Sequence, residues 1–384
     1  MGKDKIWLSS PHMGGNELKY INEAFSENWI APLGPNVNGF ENDIKNYLGE
    51  ASSNNIEVAA LSSGTAALHL ALILCGVEHG DEVLCQSMTF AASANPIVYL
   101  GATPIFVDSE SETLNICPEQ LEIAIKDRIS KGKKPKAIVA VHLYGMPYKV
   151  DQINEIAEKY EIPVIEDSAE ALGSTFKGKK CGTFAKFSIL SFNGNKIITT
   201  SGGGALVTQS SDSKKKAVFL ATQARDDAPH YQHSEIGYNY RLSNISAGIG
   251  RGQMEVLDKR VEGRRDMFHF YVNLFRDVEG VKVFKEPNDD YFSNHWLSVI
   301  TIDPEKTGGV DREDLRKCLE SENIESRPLW KPMHMQPVFT NNPFYGTGIA
   351  EEMFKNGLCL PSGSNLSDRD RERIQDAILN CLKK

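Results

Sequence analysis

The sequence has no C-x-x-C pair. Its seven cysteines, Cys75, Cys85, Cys117, Cys181, Cys318, Cys359 and Cys381, are scattered and odd in number. That pattern speaks against a disulfide framework or a zinc site and for reduced thiols; no metal is expected. No apolar run is long enough to span a bilayer. The opening MGKDKIWLSSPHMGG lacks the apolar core of a signal peptide, and no Ser or Thr stands at the sixth position for myristoylation. A cytoplasmic chain with no membrane partner is the expectation. The P-loop pattern G-x-x-x-x-G-K-[ST] is missing, and no G-x-G-x-x-G follows the first strand-like run, which weighs against a P-loop enzyme and a nicotinamide enzyme. Basic charge is in deficit too. The formal net charge of −9 argues against a nucleic-acid partner, while leaving room for a local basic pocket. Internal repeats and low-complexity segments are absent.

What is present is ordinary globular enzyme material. The 384 residues are 41% hydrophobic and 24% charged, enough for one large domain with a smaller one attached. From residue 57 strand-like and helix-like stretches alternate. EVAALSS (57–63), EVLCQS (82–87), PIFVD (104–108), AIVAVHLY (137–144), PVIEDS (163–168), FSILSF (187–192) and GALVT (204–208) read as seven strands. Helical patterns lie between them at TAALHLALILCG (65–76), AASANPIVYLG, PEQLEIAIKDRIS (118–130) and DQINEIAEKY (151–160). This rhythm predicts an α/β fold with a mostly parallel sheet sandwiched by helices. After a long helical pattern over 244–277 the rhythm changes. FSNHWLSVITI (292–302) reads as a strand, DREDLRKCLESE (311–322) and DRDRERIQDAILNCL (368–382) as helices. The expected division is a large domain over 1–260 and a smaller C-terminal α+β domain over 261–384.

Open α/β sheets bind ligands at the carboxyl ends of their strands. Four unusual stretches fall at or near those ends. Ser62-Ser63-Gly64-Thr65 joins a strand to a helix; it suits an anion cradle or a plain helix cap. Glu166-Asp167-Ser168-Ala169-Glu170 ends an apolar strand; a carboxylate there either caps the turn or stays ionised against a cationic ring. Ser191-Phe192-Asn193-Gly194-Asn195-Lys196 runs into a glycine-rich turn. Lysines are mostly solvated surface charges, but one withdrawn among apolar residues can attack a carbonyl carbon as its free amine. Gly237-Tyr238-Asn239-Tyr240-Arg241 precedes a long helix and suits an interface, a phosphate contact or a structural helix entry.

In this order the four stretches resemble the DegT/DnrJ/EryC1/StrS sugar aminotransferases, which are fold-type-I pyridoxal-phosphate (PLP) enzymes. The resemblance runs from FENDIKNYLG to GLCLPSG, nearly the whole chain. SSPHMGGNELKYI, IAPLG, SFNGNKIITTSGGG and RPLWKPMH are most similar to the branch that aminates UDP-4-keto-6-deoxy-GlcNAc in bacillosamine synthesis. The resemblance implies roles. Lys196 would be the Schiff-base lysine and proton shuttle. Asp167 would pair with the pyridine nitrogen, Glu170 would contact the ring hydroxyl and Phe90 would stack on the ring. Gly64, Thr65 and Ser191 would hold the phosphate. Asn239 would reach the phosphate from a neighbouring subunit, which requires a homodimer. L-glutamate would be the amino donor and a nucleotide-linked keto sugar the acceptor.

Trp29, Arg225, His230, Arg241, Arg327 and His334 are candidates for the nucleotide-sugar side, Arg327 foremost because RPLWKPMH is so family-like. Taken singly, each arginine and histidine is better explained by an ordinary solvated, ion-paired or hydrogen-bonded role, and Trp29 equally by packing. Asn294-His295-Trp296 could also approach a ligand. The same chemistry on another keto sugar, at C3 or on a different nucleotide, stays open. So do a PLP-binding regulator without turnover and a plain nucleotide-binding α/β protein.

Overall fold

The computed structural model describes residues 3–50 and 55–383. Two helices come first, α1 (Glu17–Ser26) and α2 (Pro35–Gly49). The seven sequence-predicted strands then form one sheet: β1 (Glu57–Leu61), β2 (Glu82–Gln86), β3 (Thr103–Val107), β4 (Ala137–Val141), β5 (Val164–Asp167), β6 (Phe187–Ser191) and β7 (Gly204–Thr208). The order across it is β1, β7, β6, β5, β4, β2, β3. Only β7 runs against its neighbours, pairing antiparallel with both β1 and β6. The other pairings are parallel.

Strands such as EVLCQ, apolar between a buried Glu82 and Gln86, and the wholly apolar AIVAV are buried along their full length, as strands covered on both faces must be. Alternate side chains serve opposite faces. Val83, Cys85 and Val139 pack with Leu68 and Leu72 of helix α3 (Gly64–Leu74). Leu84 and Ile138 face the other way, onto Leu121 and Ile125 of α4 (Pro118–Ser130) and Ile153 of α5 (Val150–Lys159). Helix α3 is apolar on nearly every side because it lies wholly inside.

Two more helices, α6 (Asn244–Met254) and α7 (Leu257–Leu274), lead to a second, antiparallel sheet. Its strands are β8 (Val281–Val283), β9 (Ser298–Ile302), β10 (Arg327–Pro328) and, beyond the short strand β11 (Phe344–Tyr345), β12 (Gly357–Leu360), in the order β8, β9, β12, β10. Helices α8 (Arg312–Ser321) and α9 (Asp368–Leu382) cover it, with Ile300, Leu315, Leu358, Ile374 and Ile378 in a shared core. Ile6 joins that core and bridges to Ile324, so the N-terminal segment packs on the second sheet.

Several expectations change. The large sheet gains an eighth strand, β11 (Phe344–Tyr345), which pairs parallel to β3 from late in the chain. The helical pattern over 244–277 is two helices, broken where Val256 leaves helical geometry at φ −119°. AASANPIVYLG is a short 3₁₀ turn followed by the helix Asn95–Tyr99 rather than one helix. The strand read over 292–302 starts only at Ser298. The preceding residues bend, with His295 in the left-handed region at φ 46°. The expectation of seven free thiols is also corrected: Cys318 on α8 and Cys381 on α9 form a disulfide, their Cα atoms 6.2 Å apart. Two adjacent helices packed on one core bring together cysteines that lie 63 residues apart in sequence. Among the described residues no helix is long and apolar enough to cross a membrane.

Candidate active site

The sheet order puts the carboxyl ends of β1, β2, β5 and β6 along one edge. The loops leaving them enclose a cavity of about 830 Å³, closed on its far side by residues of the second sheet and the N-terminal segment. Gly64, Thr65, Phe90, Asp167, Glu170, Ser191, Lys196 and Arg327, all singled out from the sequence, line it together.

Lys196 carries the central charge. Its Nζ lies 3.2 Å from Glu170 Oε1 and 4.2 Å from the centre of the Trp296 ring. The lysine side chain is 11% exposed and that of Glu170 only 3%. Backbone contacts fix the lysine from behind. The Trp296 indole N–H and the Ser9 hydroxyl both donate to the carbonyl of Asn195, at 2.7 and 2.6 Å. Glu170 is held at its other oxygen by the N–H of Tyr144 at 2.7 Å. Burial pushes the Glu170 carboxyl up to about 7, against the opposing pull of the Lys196 charge.

At the start of α3 the Ser63 hydroxyl caps the helix by accepting from Ala66 N–H at 3.0 Å. The N–H groups of Gly64 and Thr65, in the first turn, have no carbonyl partner inside the helix, and both residues line the cavity. Here close approach explains the glycine: a Cβ on Gly64 would stand 3.1 Å from Cβ of Ser191. Ser191 therefore brings its hydroxyl to the same corner as the free amides. Across the cavity Asp167 ends β5 with its carboxylate buried. Oδ2 accepts from the Ser93 hydroxyl at 2.7 Å and Oδ1 from Ala169 N–H at 3.2 Å. Burial raises the Asp167 carboxyl, and the Ser93 hydrogen bond is the largest effect opposing it. Phe90 is 58% exposed, an aromatic face turned to the opening beside Trp330, ring centres 5.6 Å apart.

These residues fit a phosphorylated, cationic aromatic aldehyde. The helix N-terminus and Ser191 offer donors for a phosphate, Asp167 a buried carboxylate, Phe90 a ring face and Lys196 an amine.

The remaining candidates lie outside this cavity within the single chain. Arg241 is tied to Glu41 and to the carbonyl of Ala60. Arg225 lies over the Tyr231 ring at 4.5 Å. His230 contacts Gln232 on the surface. His334 stacks on Phe344 and bonds Ser87 and Glu351. Trp29 accepts from Asn244 through its backbone carbonyl. Asn239 is exposed, in the segment beside Tyr231 and Ile236, which are 80% and 84% exposed. His142, Glu166 and Cys181 meet behind Asp167 with ligand atoms within 4.8 Å. Those of His142 and Glu166 are already engaged: His142 Nε2 bonds Glu166 at 2.7 Å, His142 Nδ1 accepts from Tyr148 N–H, and Glu166 accepts from Ser168 and Ser188 as well.

Residues 11–379 match the DegT/DnrJ/EryC1/StrS aminotransferase family. The chain belongs to that family. The aminotransferase is 51% identical, over 98% of its length and 96% of the relative's, to EpsN of Bacillus subtilis strain 168, a candidate pyridoxal phosphate-dependent aminotransferase. It is 39% identical to the GDP-perosamine synthase of Escherichia coli O157:H7, with 97% of each chain covered. Among solved structures, a DegT DnrJ EryC1 StrS aminotransferase from Brucella abortus superposes with a TM-score of 0.87 at 29% identity, covering 96% of both chains. The candidate sugar aminotransferase Spr1654 of Streptococcus pneumoniae, in its PMP form, gives 0.88 at 25% identity over 99% of this chain and 98% of its own. Enzymes of this family depend on PLP, so the fold type and cofactor expected from sequence hold.

The cavity also holds residues that local sequence pattern did not mark. Ser93 and Thr89 were hidden in a stretch read for Phe90 alone. Ser9 and Lys331 stood inside family-like stretches without a role of their own. Lys331 lines the cavity beside Arg327, and among the described residues it has no carboxylate partner. Arg327 does: Glu325 Oε1 accepts from its Nε and Nη2 at 3.0 and 2.8 Å.

Proposed function

We propose that this aminotransferase moves the amino group of L-glutamate onto the C4 ketone of a nucleotide-linked 6-deoxy sugar, foremost UDP-4-keto-6-deoxy-GlcNAc, yielding a 4-amino sugar for glycan synthesis. The observation that carries the reading is a largely covered Lys196 amine sharing one cavity with the α3 N-terminus, Asp167 and Phe90. Bound PLP supplies the electron sink that lets an amino-bearing carbon lose a proton. Lys196 takes that proton at Nζ and returns it on the far side of the transfer. Gly64, Thr65 and Ser191 would hold the phosphate, Asp167 would pair with the ring nitrogen, Glu170 would contact the ring hydroxyl, and Phe90 would pack on the ring. Trp296 and Trp330 keep water from the reacting atoms.

Arg327 and Lys331 at the mouth suit the diphosphate of a nucleotide sugar, as flexible cations at an opening do. Trp29, Arg225, His230, Arg241 and His334 remain candidates only through a second subunit or a moved loop. A homodimer would cover Tyr231 and Ile236 and deliver Asn239 to the partner's phosphate site. We further propose the division into domains over 1–260 and 261–384, and a cytoplasmic enzyme. Similarity to GDP-perosamine synthase at 39% identity favours a second reading, the same transfer on a GDP-linked sugar.

A panel of UDP- and GDP-linked 4-keto and 3-keto sugars, offered with L-glutamate and followed by mass spectrometry of the amino product, separates these. Preferential conversion of the UDP-linked 4-keto substrate supports the first reading. Preference for a GDP sugar or a C3 ketone replaces it with the second or with another substrate. Binding of PLP without conversion of any member points to a regulator.

A further inference from the structure

The segment between β2 and the helix Asn95–Tyr99 does more than present Phe90. Ser93 is 2% exposed and Thr89 is fully buried, yet both border the cavity. Their hydroxyl oxygens are 2.7 Å apart, and Ser93 Oγ is 2.7 Å from Asp167 Oδ2. A serine hydroxyl has one hydrogen. The carboxylate oxygen can only accept, so Ser93 donates to it, and Thr89 must then donate to Ser93. The two bonds point the same way and polarise each other. A tight turn enforces the arrangement: Ser93 N–H donates to the Phe90 carbonyl at 3.0 Å, closing Ala91–Ser93 into a 3₁₀ turn. The turn sends the Phe90 ring outward and brings Thr89 and Ser93 together on the inner side.

Asp167 needs this help. It is enclosed, with Cys85 close by and Ile189 beside it on the next strand, and burial favours a neutral acid there; the Ser93 hydroxyl opposes this most, followed by the Ala169 N–H and the charges of Lys196 and His142. A neutral acid cannot pair with a ring cation.

We propose that Thr89 and Ser93 form a directed hydroxyl relay that keeps Asp167 ionised, making Ser93 a positioning residue for recognition of the ring nitrogen. The inference rests on Asp167 facing that nitrogen. It predicts that the relay matters only for a ligand with a nitrogen at that ring position.

The test uses the full-length chain stripped of cofactor and titrated by quenching of tryptophan fluorescence. The probes are PLP and its analogue with carbon in place of the ring nitrogen. Wild type is expected to prefer PLP. Ser93→Ala should lose about tenfold of its PLP affinity, as for a lost hydrogen bond to a charged group. It should keep its affinity for the carbon analogue within about twofold. Equal weakening toward both ligands, or no weakening toward PLP, overturns the relay. If Ser93→Ala fails to fold, the near-isosteric Thr89→Val carries the same comparison, with several-fold selective loss expected and equal loss overturning the idea. Should wild type bind the two ligands equally, Asp167 does not read the ring nitrogen and the relay falls. Should it bind neither, the PLP reading itself is wrong, a failure distinct from that of the relay.

Discussion

Glu170 shows how one side chain sets conditions for the site. Its carboxyl is buried against the Lys196 amine and the Tyr144 N–H, and burial lifts it from 4.5 to about 7. A carboxyl raised on folding favours the folded state fully below its unfolded value and loses that contribution as pH rises through the folded one. The cofactor-free wild type should therefore lose stability relative to Glu170→Gln between pH 4.5 and about 7. The difference should be on the order of 2 kcal/mol, read by urea unfolding at a series of pH values. A constant gap between the two proteins over that range contradicts the assignment. At this scale the sequence is legible where chemistry and chain order coincide. Lys196, Asp167 and Gly64 stand at or just past strand ends among small or apolar residues, so their neighbours in sequence announce them. Ser93 and Trp296 act on residues 74 and 101 positions away, through Asp167 and the Asn195 carbonyl. No local pattern marks such partners.

At the scale of elements, one contact joins strand β7 to the corner where Gly64 meets Ser191. Gly204 pairs with Leu61 on one side and Ser191 on the other. A methyl group there would stand 2.3 Å from the N of Gly64 and the carbonyl carbon of Ser63. Gly204→Ala must push β7 away from the start of α3. We expect a loss of about 2–3 kcal/mol in stability and weaker PLP binding, measured by thermal unfolding and by titration. Gly194→Ala, which meets nothing within 4 Å, is the control and should leave both unchanged. A Gly204→Ala protein as stable as wild type would contradict the packing described. The seven long strands were readable because burial on both faces demands runs that are apolar at most positions. The two-residue β11 was not, since it offers no period to detect. The bend at Asn294–Trp296 was missed for a different reason. Asn294 leaves strand pairing to hold the carbonyls of Glu170 and Leu172, at 2.8 and 2.9 Å, and this steers Trp296 into the site.

Across the whole molecule, the cavity exists because distant parts of the chain close over the sheet edge. Ser9 comes from the N-terminal segment, Trp296 from the approach to β9, and Arg327 and Lys331 from β10 and the turn after it. Arg264 of α7 binds this closure together. It is fully buried and donates to the Trp296 and Ser362 carbonyls and the Ser9 hydroxyl. Burial with no carboxylate partner among the described residues pulls its guanidinium down to about 9. Such assembly leaves no trace in local sequence periodicity, so the fold class was legible while the far wall of the site was not. The central claim is that Lys196, within this closed cavity, carries out amino transfer on PLP. The direct measurement is the visible absorption of the PLP-loaded chain on addition of L-glutamate, with Lys196→Ala in parallel. The band of the bound cofactor should convert to that of the pyridoxamine form in wild type, with no such conversion by the variant on the same timescale. Conversion at equal rates in both proteins, or a wild-type chain that never develops the cofactor band, would contradict it.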